Sequence, residues 1–202
     1  MTYHPLGSVF LISRGSAIAP LCASAIMIAT IKRRLYMSQA FSDHFDALIK
    51  QVTKGAFLTT KGRFNPMTIG WCQLGIIWNR QVCTVLVRKS RFSYGLMMDS
   101  PSFCVSIPET GTMADALAFC GSRSGRDVDK AKEANLAPLT LIAGESPGVE
   151  GCTNHLVCRK LFWADSDLSR MDPSIIDRYY NTNQALPDGD PHVIFFGEIL
   201  KV

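Results

Sequence analysis

Residues 66–107 contain three runs of strand length, and their order restricts the fold of this chain more than any other feature. Over residues 66–71, alternation sets Met67, Ile69 and Trp71 on one face and Thr68 and Gly70 on the other. Residues 82–87, VCTVLV, form an almost unbroken apolar run, as expected of a strand covered on both sides. Phe103, Val105 and Ile107 alternate with Cys104 and Ser106 until Pro108 stops the run. Upstream, AFLTT at residues 56–60 reads as a first strand closed by Lys61-Gly62, and later strands are expected over residues 156–163 and 193–202. There is no βαβ alternation and no internal repeat, so an antiparallel barrel is favoured over a doubly wound sheet.

Helices decorate this core. Phe41, Phe45, Leu48, Ile49 and Val52 recur at helical spacing, with Asp43 and Asp46 near the end where the helix dipole favours anions. A second helix is expected with Thr112 and Asp115 as a capping pair, an apolar face of Met113, Ala116, Leu117 and Cys120, and Gly121 as its close. Another is expected to begin near Asp127, which would cap it, and a short one opens at Asp172-Pro173 with Ile176, Tyr179 and Tyr180 inward. A length of 202 residues suits one domain, here residues 37–202. Residues 1–36 read as an extension ahead of a start at Met37. Within it, residues 15–31 are uncharged but short and broken by Pro20, so an apolar anchor or targeting segment is the alternative.

Seven cysteines, none in a CxxC pair, argue against a disulfide framework and fit a reducing cytoplasm. Cys152, His155 and Cys158 lack a fourth ligand for zinc and read as ordinary strand residues. Charge is more telling. Residues 47–98 contain no Asp or Glu, yet carry Lys50, Lys54, Lys61, Arg63, Arg80, Arg88, Lys89 and Arg91, so an anion is expected near them.

Four places could carry chemistry. Arg88, Lys89, Arg91 and Ser93, beyond the buried strand, could grip a phosphate, or form a solvated basic strand end. CGSRSGRDVDK, residues 120–130, leads small residues into a helix start with Arg123, Arg126 and Lys130 at hand, which suits an anion as well as it suits an ordinary cap. Asn65, Met67, Thr68, Gly70 and Trp71 could offer polar groups and a covering ring to a flat ligand, while Met67 and Trp78 read equally well as core. His192 precedes a strand, where a lone His is most often a structural hydrogen-bonder.

In order along the chain, NPMTIGW, the Gly75 to Trp78 GxxW, VRKSRFS, GSRSGRDVDK and DPHVIFFGEI resemble the flavin reductase-like family of FMN-binding split barrels, and within it flavoredoxin-like proteins. The resemblance runs from about Phe41 to the end. It implies an all-β Greek-key split barrel with a few peripheral helices, binding FMN as a homodimer. Carried onto this chain, it implies ring-side contacts from Asn65, Thr68 and Trp71 with Met67 alongside. Phosphate and ribityl contacts would come from Arg88, Arg91 and Ser93, joined by Ser124 and Lys130, and His192 matches a position near the site. Cys72 departs from a common glycine, Gln81 and Lys89 from common prolines, and Ser93 from a frequent threonine.

The resemblance implies an FMN flavoprotein that passes electrons, as an NAD(P)H-dependent flavin reductase or as a flavoredoxin-like carrier served by a protein donor. FMN would supply the chemistry, so no catalytic side chain is named. Neither a nucleic-acid partner nor a metal is expected, and no membrane association unless residues 15–31 anchor the chain. Two other readings stay open: a sensor or storage module that holds FMN without turnover, and a single-strand nucleic-acid barrel stacking bases on Trp71, Trp78 and Phe92.

Overall fold

A computed structural model describes residues 27–28, 48–180 and 189–201. The chain divides into two compact units, residues 1–36 and residues 37–202. Of the first, residues 27–28 are helical. The expected apolar segment at residues 15–31 and the first turns of the helix expected from Phe41 lie largely outside the described residues.

The second unit is built on one seven-stranded sheet in the order β2-β1-β5-β8-β9-β4-β3, with every pairing antiparallel. The strands are β1 (Ala56–Thr60), β2 (Met67–Ile69), β3 (Cys72–Ile77), β4 (Arg80–Arg88), β5 (Ser102–Ile107), β8 (Asn154–Asp165) and β9 (His192–Lys201). A small ribbon pairs β6 (Pro138–Leu139) with β7 (Gly148–Val149). Helices α1 (seen over residues 48–52), α2 (Phe92–Asp99), α3 (Ala114–Ser122), α4 (Lys130–Glu133) and α5 (Pro173–Tyr179) lie around the sheet. This is the curled half-barrel expected of a Greek-key split barrel.

The unbroken apolar runs have a simple cause in the packing. On β1, Ala56 and Leu58 enter the main core with Met67, Val85, Val105 and Phe195, while Phe57 points the other way into a second cluster with Leu117 and Cys120 of α3. Both faces of this strand are therefore buried, and no polar alternation survives in its sequence. On β5 the faces differ: Phe103, Val105 and Ile107 fill the core, while Ser102 and Ser106 bond Ser146 and the Val149 amide on the outer layer. Burying each large core side chain contributes about 1.5–3 kcal/mol relative to exposure.

Several local expectations change. β3 was not expected, because CQLGII offers no clean alternation; it exists because a two-residue turn, Trp78 and Asn79 at φ 51° and 57°, folds it back onto β4. Trp78 is thus an exposed turn residue rather than core. The segment after β4 is helix α2, not a strand end. Thr112 and Asp115 do not cap α3: Met113 stands at the cap in a left-handed conformation, the Thr112 hydroxyl donates to the Glu109 carbonyl, and the helix continues past Gly121. Asp129, not Asp127, caps α4 by accepting from the Lys132 amide. Asp172 caps α5 as expected, with Pro173 in the first turn.

Candidate functional site

Two adjoining clefts share Met67, Arg88 and Arg91. Their shared lining follows from topology. β4 and β9 pair so that Arg88 lies opposite His192. Residues of β2, on one edge of the sheet, line the same cleft as Leu86, Val87 and Arg88, near the other edge. The sheet must curl for that to happen, and the curl converts two distant edges into one site.

The first cleft, about 340 Å³, is the cationic one. Its floor includes the start of α2, where Arg91 is the N-cap residue, makes no side-chain cap, and is followed by a first turn without any acid. Such an end leaves backbone N–H groups and the positive end of the helix dipole directed at the cleft. Ser93 is buried in that turn and its hydroxyl accepts from the Asn65 side-chain amide at 3.0 Å. Facing it is the loop of residues 122–126, carrying Ser124. Gly125 is buried there because a Cβ would come within 2.0 Å of the Asn65 side-chain oxygen and 2.8 Å of the Phe92 ring. Three arginines pin this loop to its surroundings through backbone carbonyls: Arg63 to Gly125, Arg91 to Gly121 and Arg126 to Ser90, at 2.8, 2.9 and 3.0 Å.

Lys130 reaches the cleft from the start of α4. It is buried, donating to the Cys120 carbonyl at 2.8 Å. Burial first, and then neighbouring Arg91, push its ammonium below the usual lysine range. The folded chain alone thus disfavours charge at this point, and an arriving anion would offset that cost. Asp190 is the one carboxylate in the lining; it accepts from the Ser90 amide and hydroxyl at 3.1 and 2.6 Å and lies 3.9 Å from Arg88.

The second cleft, about 230 Å³, is lined by Met67, Thr68, Ile69, Trp71, Tyr179 and His192, among others. Trp71 is 39% exposed and its ring lies 5.0 Å from Tyr179 and 5.1 Å from His192. His192 is buried and its Nδ1 is 2.8 Å from the Tyr180 hydroxyl. Burial, and secondarily the Arg88 cation, lower its pKa to about 4, so the imidazole is neutral at pH 7. Among the described residues no group of His, Cys, Asp or Glu could hold a metal, and no helix is long and apolar enough to cross a membrane.

The expected site residues fall into these clefts with informative exceptions. Met67, Arg88, Arg91, Ser93, Ser124 and Lys130 line the cationic cleft, and Met67, Thr68, Trp71, Arg88, Arg91 and His192 line the aromatic one. Asn65 lines neither; it is buried behind the cationic cleft and orients Ser93. Thr68 spends its hydroxyl proton on the Leu117 carbonyl at 2.6 Å. Arg88 also differs from a free phosphate fork: it donates to the Asp190 and Tyr179 carbonyls at 3.0 and 2.7 Å, tying α5 to the start of β9. Ser90, Tyr179 and Asp190 were not named as site residues, and Phe92 was named only as a base-stacking ring. A DGDPH turn hints at Asp190, whose φ of 50° suits a short polar residue, but the others carry no local signal.

The family model for the flavin reductase like domain matches residues 52–202. This chain belongs to the flavin reductase like family. The family is one of flavin-linked oxidation and reduction. Among solved structures, flavoredoxin from Methanosarcina acetivorans is 24% identical with a TM-score of 0.54, over 73% of this chain and 66% of that one. An FMN-binding protein from Thermus thermophilus is 22% identical with a TM-score of 0.52, over 73% and 67%. The NADH:FAD oxidoreductase SgcE6 of Streptomyces globisporus C-1027 is 17% identical with a TM-score of 0.53, over 76% and 79%. The chain thus spans about two thirds of the length of the first two. At these identities the neighbours establish the fold of this flavin reductase like chain. No curated protein matches it.

Proposed function

We propose that this flavin reductase like protein binds FMN and passes electrons through it, acting as an NAD(P)H-dependent flavin reductase or as a flavoredoxin-like carrier. The observation that carries this reading is the junction of the two clefts: a cation-lined one at an uncapped helix start adjoins an aromatic one, matching a phosphate tail joined to a flat ring. Ser93, Ser124, Lys130, Arg91 and the first amides of α2 would hold the phosphate. Met67, Thr68, Trp71 and His192 would border the ring, with Asn65 and Arg88 supporting from behind. When bound, FMN supplies the hydride and electron chemistry of the reaction. The chain's own contribution is to position the ring, keep a neutral imidazole beside it, and concentrate positive charge at its tail.

The described cysteines are unpaired, as suits a reducing cytoplasm. Ile76, Trp78 and Phe162 are 63%, 59% and 48% exposed, with the Phe162 ring 6.3 Å from Trp78 and 5.7 Å from Phe196. That apolar patch supports a homodimer, and Trp78→Lys is expected to shift the light-scattering mass from dimer to monomer.

The decisive experiment is one absorbance spectrum of the purified protein after FMN addition and gel filtration, followed by anaerobic NADH or NADPH. Retained flavin absorbance that bleaches on donor addition is the expected result. A protein that takes up no FMN sinks the reading. Retained flavin that no nicotinamide bleaches, but that chemically reduced protein carriers do, favours the carrier role over the reductase.

A further inference from the structure

This inference rests on the flavin reading above and concerns what lies beyond the first phosphate. The cationic cleft presents Arg88, Arg91, Arg123, Arg126 and Lys130 against a single carboxylate, Asp190. One phosphate monoester brings about 1.5 to 2 negative charges at neutral pH, so its binding leaves roughly two cations uncompensated.

The cations are not equivalent. Arg88, Arg91, Arg126 and Lys130 each donate to a backbone carbonyl. The Arg123 guanidinium has no hydrogen-bond or ion-pair partner among the described residues, although it lines the cleft. Its backbone is nevertheless fixed. The loop that bears it is held on one side at the Gly121 carbonyl by Arg91 and on the other at the Gly125 carbonyl by Arg63. Gly125 is packed against Asn65 and Phe92 with no room for a methyl group. An uncommitted five-donor fork on an anchored backbone is available to an oxyanion, and only its side-chain rotamers are left to be ordered on binding. Arg126 stands beside it, half committed to the Ser90 carbonyl and to the Phe92 ring at 5.7 Å.

We infer that Arg123, assisted by Arg126, forms a second phosphate subsite, distinct from the one at the start of α2, that takes the adenosine phosphate of a dinucleotide. Two sources share that chemistry: the adenylate phosphate of FAD taken in place of FMN, and the 2′-phosphate that distinguishes NADP(H) from NAD(H).

Isothermal titration separates them. The flavin-free protein is titrated with FMN and with FAD, and the FMN-loaded protein with oxidised NADP and NAD, which cannot turn over. In Arg123→Ala, affinity is expected to fall about tenfold for FAD if the flavin is the source, or for NADP but not NAD if the nicotinamide is, with FMN affinity within about twofold of the original. Arg123→Lys keeps the charge and is expected to recover only part of the loss. Unchanged affinity for FAD and NADP in Arg123→Ala overturns the second subsite, as does an equal loss for FMN, which would mean one phosphate site only. Normal FMN uptake with an indifferent Arg123→Ala rejects this inference alone, whereas an original protein that binds neither flavin rejects the reading beneath it.

Discussion

The aromatic cleft and the cationic cleft adjoin, yet they are assembled by different means. Residues of the aromatic cleft come largely from strands: β2, the end of β4 and the first residue of β9, with Tyr179 of α5 against them. The sheet's register sets their positions, and burial sets their charge state, as the neutral His192 illustrates. The cationic cleft comes from a helix start and a loop, held by arginines that span 30 to 62 residues to reach backbone carbonyls. Rigid pleated backbone suits a flat ring that must be oriented. A loop with many N–H groups suits a phosphate, which is spherical in its demands and needs donors more than direction.

The contrast can be broken from the aromatic side first, through pH. An unfolded histidine titrates near 6.5 and folded His192 near 4, so between these values the unfolded state binds the extra proton. Stability of the flavin-free protein is therefore full above about pH 6.5 and falls by up to about 3 kcal/mol as the pH drops to about 4. Urea titrations across that range check this, and His192→Gln is expected to flatten the slope while leaving the cationic cleft's affinity for inorganic phosphate as it was.

On the cationic side, Gly125→Ala forces a methyl group against the Asn65 oxygen and Phe92. Overpacking of this kind costs about 2 kcal/mol, and the shift of Asn65 misplaces the Ser93 hydroxyl. Chemical denaturation reads the first effect. The second is read by comparing FMN with riboflavin, which lacks the phosphate: FMN affinity is expected to fall and riboflavin affinity to hold.

Lys130→Met sharpens the same comparison with a smaller disturbance. It removes one ammonium and leaves the Cys120 carbonyl without its donor, at about 1 kcal/mol of stability. FMN binding should weaken about tenfold while riboflavin binding stays level; an equal loss for both would mean that Lys130 shapes the ring side too.

The smallest effect belongs outside both clefts. Arg159→Ala removes one of the two arginines that hold Glu198, at a site where the arginine side chain is 54% exposed. Because Arg80 keeps its contact, the expected change is below about 0.5 kcal/mol, with no change in flavin affinity by titration.

Much of this was legible in the chain. AFLTT coincides with β1, and the ends of β5, β8 and β9 fall within two or three residues of where apolar alternation and proline put them. The motifs also named most residues that line the two clefts. What escaped was whatever depends on long-range pairing. Helix α2 was invisible because its eight residues offer no side-chain cap, and only Ser93 and Met97, one turn apart, are buried in it. Arg88 looked like a phosphate fork, since nothing near it in sequence reveals that its donors go to carbonyls 91 and 102 residues away.

By itself the sequence determined the antiparallel all-β class, the clustering of cations in a stretch without acids, and the family, because periodicity, composition and local motifs are properties of neighbouring residues. Only the tertiary structure decided which cations remain free to meet a ligand. Curling of the sheet brings β2 beside the end of β4, and the carbonyls exposed at loop ends then commit Arg88, Arg91 and Arg126 while leaving the Arg123 guanidinium uncommitted among the described residues. Hydrogen-bond partners of that kind are chosen by proximity in space, and no local pattern encodes them.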